Sequence, residues 1–175
     1  MPFNLIKTYP ELLEIAQFNP HQRKKSLMGV FKQDIEENVS FQFRSKAIRP
    51  TKKEGESPML TLFGHLTTKE DKDEKGKNTG ARSFDMHRSV RLHWIKTHID
   101  ELRKANIDVF SHEDRIKGKD VIRTYIYDHV EEYVIILEPQ RSGMDYYLLT
   151  AYYLNEKGGK KQILKKQKKK LDEVH

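Results

Sequence analysis

Apolar residues recur at helical spacing in two stretches near the start of the chain. Leu12, Leu13, Ile15 and Ala16 predict a short helix over Pro10 to Phe18, and Leu27, Val30, Phe31 and Ile35 predict a second from Pro20 to about Asn38. Asn19-Pro20 marks the start of the second, with Asn19 suited to the N-cap and Pro20 to the first helical position. From Val39 to Ile48 the pattern changes to alternation, Phe41, Phe43 and Ala47 being separated by polar residues as in a strand. Arg49-Pro50 through Pro58 reads as a loop and Met59 to Leu66 as a short apolar helix. Between Lys69 and Lys77 there is no apolar residue and both signs of charge are mixed, the pattern of a flexible linker. The expected organisation is an N-terminal helical/extended region at 1–68, a charged linker at 69–80 and a domain at 81–175.

Past the linker the periodicity sharpens. Asp85 can cap a helix from Met86 to about Lys104, on which Phe84, Arg88, Leu92, Ile95, Ile99 and Leu102 form one stripe and His87, Arg91, Trp94 and His98 its neighbour. Four extended segments follow: Ile107–Ser111, Val121–Asp128, Tyr133–Glu138 and Tyr146–Leu154. The last three are joined by short turns, which favours an antiparallel meander. A Lys-rich helix closes the chain. Helices followed by hairpin-linked strands are the pattern of an α+β fold, with helices packed on a four-stranded antiparallel sheet and one sheet face left available.

Composition narrows the chemistry. The 175 residues suffice for one domain with appendages, and they include no cysteine. Disulfides, thiol catalysis and Cys-ligated metals are excluded. No apolar run approaches a membrane span, and Met1-Pro2-Phe3-Asn4-Leu5 lacks the pattern of a secretory signal, so a cytoplasmic protein without membrane partners is expected. The net charge of +7 is unevenly placed: Asn155–Leu171 holds eight lysines and one acid, while the rest is close to neutral. A run such as Lys165-Lys166-Gln167-Lys168 can hold a polyanion through phosphate contacts, or form a solvated helical tail. No HExxH, no clear metal-ligand spacing and no Gly-rich phosphate loop stands out, so neither metal nor cofactor is expected.

Alternation along the strands separates two faces. Arg123, Tyr125 and Tyr127 share one face of their strand, and Ile122, Thr124 and Ile126 the other, which is the better core face. In the last strand Tyr146, Leu148, Thr150 and Tyr152 alternate with Tyr147, Leu149, Ala151 and Tyr153. The small Ala151 suits packing beneath a helix, which puts Thr150 and Tyr152 on the side where Arg123 and Tyr127 can point. Arginine binds phosphate bidentately and tyrosine stacks on unpaired bases. The same residues also suit an ordinary strand with one wet face.

The runs Arg88-Ser89-Val90-Arg91-Leu92-His93-Trp94-Ile95, Arg123-Thr124-Tyr125-Ile126-Tyr127-Asp128, Tyr133-Val134-Ile135-Ile136-Leu137-Glu138 and Tyr146-Tyr147-Leu148-Leu149-Thr150-Ala151-Tyr152 resemble the barnase–EndoU–colicin E5/D–RelE-like (BECR) nuclease superfamily, in its phage and mobile-element branch. The resemblance covers roughly residues 84–165. It implies a metal-independent endoribonuclease toxin acting on tRNA, mRNA or rRNA and restrained by an antitoxin or immunity protein. Such cleavage uses the ribose 2′-hydroxyl as nucleophile and needs a base, an acid and cations for the phosphorane charge. Thr150 and Tyr152 are candidates to position phosphate or shuttle a proton, and Arg123 to stabilise developing charge. Arg88, a cation on an apolar stripe, requires either a ligand or a structural ion pair. His93 is the candidate general base, or a surface or half-buried helix histidine. Arg91, His112, Lys165 and Lys166 are candidates for substrate binding, and Tyr127 for base stacking. Two other functions fit the sequence: a non-catalytic nucleic-acid-binding module using the basic tail and tyrosines, and a protein-interaction module.

Overall fold

The computed structural model describes residues 2–175. The chain forms an α+β fold with a six-stranded mixed sheet. After a 3-10 turn at Pro2–Ile6 the backbone stays irregular to Asn19, so the helix expected over Pro10 to Phe18 does not form. Its polar groups are satisfied from elsewhere: Leu13 N–H donates to Val90 O (2.9 Å), and the Asn4 amide brackets the backbone of Glu14 (3.1 and 2.9 Å). Leu13 and Ile15 are buried while Leu12 is exposed, the spacing of an extended strap.

Helix α1 (Pro20–Phe31) continues through a π-helical turn at Lys32–Glu36 and buries the expected Leu27, Val30, Phe31 and Ile35. Its start is a capping box: Asn19 Oδ1 accepts from Gln22 N–H (2.9 Å), and the Gln22 side chain accepts from Asn19 N–H (3.1 Å). Asn19→Ala should lower stability by about 1 kcal/mol in urea unfolding. An unchanged midpoint would show that α1 is fixed by its packing alone.

Strands β1 (Gln42–Phe43) and β2 (Lys46–Pro50) form a hairpin turned by Arg44 and Ser45, both at positive φ. Helix α2 (Pro58–Thr67) follows the Ser57 cap. The stretch expected to be a linker forms instead the hairpin of β3 (Thr68–Lys72) and β4 (Asn78–Phe84). Polar contacts take the place of apolar ones across it. Arg82 lies opposite Glu70 and 3.7 Å from its carboxylate, Ser83 Oγ donates to Asp71 (2.8 Å), and Asp73 Oδ1 accepts from the turn N–H groups of Lys75 and Lys77 (both 2.9 Å).

The single helix expected over Met86 to Lys104 is two, α3 (Met86–Ser89) and α4 (Trp94–Ile99). The intervening turn makes i−3 bonds, Leu92 to Ser89 (3.2 Å) and Trp94 to Arg91 (2.9 Å), and its Val90 carbonyl is the one that holds the strap. The meander is present as expected: β5 (Ile107–Ile116), β6 (Lys119–Asp128), β7 (Tyr133–Pro139) and β8 (Asp145–Tyr153) are successive antiparallel neighbours. To these four strands β2 adds parallel to β8, with β1 outside it, giving the order β1-β2-β8-β7-β6-β5.

The N-terminal region is therefore not a separate unit. One core cluster runs from Tyr9, Leu13 and Phe31 through Trp94 and Ile95 to Ile126, Ile135, Leu148 and Ala151. The opposite sheet face carries Phe110, Tyr125, Tyr127, Val134 and Ile136 beneath Leu154 and Ile163, the latter from α5 (Gly159–Lys168). Beyond α5 the chain turns to the outer edge of β5, where Leu171 N–H donates to Ser111 O (2.8 Å). Among the described residues no helix is long and apolar enough to cross a membrane.

Candidate functional site

One irregularity in β8 sets the site. Its pairing with β7 slips between Ile136 and Leu137, whose partners are Thr150 and Leu148, so Leu149 is an extra residue. The uniform alternation expected for the strand is broken there. Tyr146 and Leu148 belong to the first core with Ala151, whereas Thr150 and Tyr152 lie across from Ile136 and Val134 on the second face. Tyr125 and Tyr127 also pair with Ile136 and Val134, which places Arg123 on that same face.

Here the sheet borders a cleft of about 710 Å³, walled by the β3–β4 hairpin, the ends of α2 and α3, and the start of α5. Thr150, Tyr152 and Leu149 line its floor, Arg88, Asp85 and His65 one wall, and Lys69, Lys72 and Arg82 the hairpin side, with Arg123 further across the sheet. Six lysine and arginine side chains line it against the carboxylates of Glu70, Asp85 and Glu156. Such an excess of cations in a concave site attracts anions.

Arg88 is the most constrained of these cations. Its Nη1 donates to His65 O (2.9 Å), Thr68 O (2.8 Å) and Thr150 Oγ1 (3.3 Å), and its guanidinium lies over the Tyr152 ring, 5.4 Å from the centroid. Asp85, the N-cap of α3, stands 3.9 Å from Nε. The two carbonyls sit at the C-terminal end of α2, where a cation is favoured. Thus Arg88 has a structural partner set and also touches the cleft floor. Burial lowers its pKa, as does Arg82, while Asp85 opposes the shift. Tyr152 has its pKa raised, chiefly by burial, and stays a phenol. Arg123 lies 3.9 Å from both Glu138 and Asp114, loose contacts that leave its fork available.

No family model, curated protein or solved structure matches the chain. The site's geometry carries its interpretation.

Four of the expected catalytic residues, Arg88, Arg123, Thr150 and Tyr152, line the cleft, and the fifth does not. His93 is buried with neither ring nitrogen partnered, and burial pushes its pKa down to about 4. It is a core histidine, held neutral, and cannot exchange protons with a ligand in the cleft. Tyr127 is buried beside Leu154 and Ile163, which closes its ring to base stacking. Arg91 stacks on Tyr153 (3.9 Å to the centroid) and donates to His87 O (2.7 Å), outside the cleft.

His112 lies within β5 rather than at its end, directly across from Arg123. Its Nδ1 is 2.6 Å from Asp114 Oδ1. Lys166 donates to Asp114 (3.0 Å) and to the Tyr125 hydroxyl (2.8 Å), and Tyr125 in turn donates to Asp114. Lys166 therefore anchors α5 to the sheet, whereas Lys165 is exposed. Burial raises the Asp114 pKa, but bonds from Tyr125, Lys166 and His112 outweigh it and hold the carboxyl below its usual range.

Sequence reasoning missed His65 and the hairpin cations. Asp73-Glu74-Lys75-Gly76, flanked by alternating charges, was the available signal for a turn between two polar strands.

Proposed function

We propose that this cleft is the catalytic centre of a metal-independent endoribonuclease, in keeping with the resemblance of the C-terminal half to BECR nucleases. The observation that carries the reading is the convergence of Arg88, Arg123, Thr150 and Tyr152 on one cleft. In this reading Arg88, already fixed against Thr150, and Arg123 neutralise the charge that develops on a phosphodiester. Thr150 and Tyr152 orient a non-bridging oxygen and the leaving group. The ribose 2′-oxygen attacks phosphorus, the P–O5′ bond breaks, and a 2′,3′-cyclic phosphate and a 5′-hydroxyl result. The leaving oxygen takes its proton from the Tyr152 phenol, which solvent restores. Lys69, Lys72 and Arg82 on the hairpin would hold the flanking backbone. Such an enzyme, acting in the cytoplasm on tRNA, mRNA or rRNA, would need an antitoxin or immunity protein to spare its host.

Purified protein should cleave total RNA in EDTA and leave DNA intact, with cyclic phosphate ends detectable by mass spectrometry. Arg123→Gln and Thr150→Ala should each slow cleavage at least 10-fold while circular dichroism stays unchanged. A second reading, a binding module without catalysis, is favoured by the exposed Lys161, Lys165 and Lys168 of α5. Salt-sensitive RNA binding with no cleavage under any condition would select it.

A further inference from the structure

We propose that His65 is the general base of the cleft, the group that takes the proton from the 2′-hydroxyl. This rests on the ribonuclease reading above. Among the described residues His65 is the one histidine lining the cleft. It is half-buried in the last turn of α2, and its own carbonyl is held by Arg88 Nη1 at 2.9 Å, which ties its position to the cation that reaches Thr150.

The alternatives in the cleft are occupied or unsuited. Tyr152 stays protonated near neutral pH. Asp85 caps α3 by accepting from Arg88 N–H (3.1 Å), Glu70 lies 3.7 Å from Arg82, and Glu156 lies 3.5 Å from Lys69. A base must also be unprotonated at working pH. Burial lowers the His65 pKa below 6.5, Arg82 and Arg88 lower it further, and Glu70 and Glu56 oppose them. The imidazole is therefore neutral at pH 7 with a lone pair to offer. In the step, the 2′-hydroxyl proton passes to the ring, the 2′-O–P bond forms and P–O5′ breaks. The imidazolium then returns its proton to solvent.

The test compares full-length wild-type protein with His65→Gln on a short oligoribonucleotide across pH 5–9, and measures binding of the same sequence with 2′-O-methyl riboses. Wild-type rate should fall along an acid limb whose midpoint lies below 6.5. His65→Gln should lose about 100-fold or more in turnover. It should also lose that limb and keep its affinity for the 2′-O-methyl oligonucleotide within about 3-fold, roughly 0.65 kcal/mol by RT ln 3. If wild type cleaves and His65→Gln does so at a similar rate with the same limb, the assignment of His65 is wrong and the ribonuclease reading stands. If wild type does not cleave, the reading itself fails and the base role with it.

Discussion

Arg88→Met should abolish most cleavage, lowering turnover roughly 100- to 1000-fold, the usual cost of removing one fixed donor from a developing oxyanion. The same change should cost about 1–3 kcal/mol of stability, because the carbonyls of His65 and Thr68 lose their shared donor. The two effects separate with Arg88→Lys. An ammonium can restore a bond to one carbonyl and keep the charge, but it cannot span both while also reaching Thr150. Stability in urea should recover most of the way, and single-turnover cleavage should not. Equal recovery of both would mean that Arg88 serves only to join α2 to α3, and the cleft would lose its principal cation.

The largest effect on folding is expected at Asp128, fully buried beneath the N-terminal strap. Tyr9 OH donates to its Oδ2 (2.6 Å), His98 Nε2 lies 3.0 Å from the same oxygen, and the N–H groups of Val130 and Glu131 donate to Oδ1 (3.0 and 2.8 Å). Asn106 extends the network by donating to the Tyr9 hydroxyl (3.0 Å). Asp128→Ala strands these partners and should cost about 3–5 kcal/mol. Burial raises the Asp128 pKa, but the bonds from His98, Glu131 and Tyr9 outweigh it and hold it below the usual carboxylate range. A carboxyl whose folded pKa is depressed stabilises above its unfolded value, about 3.9, and that contribution fades as pH falls through the folded pKa. The gap between wild type and Asp128→Asn in chemical unfolding should therefore be full at neutral pH and shrink below about pH 4. A gap that stayed constant from pH 7 to pH 3 would show that the charge of Asp128 contributes nothing.

What the sequence revealed follows from which contacts are local. The meander was legible because Arg123–Asp128, Tyr133–Glu138 and Tyr146–Tyr152 are short segments rich in β-branched and aromatic residues between short turns, whereas the slip at Leu149 left no local mark. Arg88 was legible as a cation on an apolar stripe; its partners are the carbonyls of His65 and Thr68 and, at 3.9 Å, the Asp85 carboxylate of the α3 cap rather than a strand carboxylate, and it also lines the cleft. The strap at 10–18 was not, since its backbone is satisfied by Val90 and Asn4, partners that no local pattern announces. The hairpin at 68–84 escaped because its cross-strand pairs are charged rather than apolar. A single helix over 86–104 places His93 at the surface or half-buried; the turn at 90–93 changes which side of the chain each residue presents, and His93 is buried. His65 sat in an apolar segment, and nothing within it foretold the cations opposite.

The position of β8 also bears on when the cleft can form during synthesis. It is an interior strand, paired to β2 on one side and β7 on the other, although nearly a hundred residues separate β2 from it along the chain. Until Tyr153 has left the ribosome, the wall that α2 and α3 build from His65 and Arg88 has no floor to face. A nascent chain thus keeps the cleft-lining groups apart through most of translation, and the late closure of one strand brings them together.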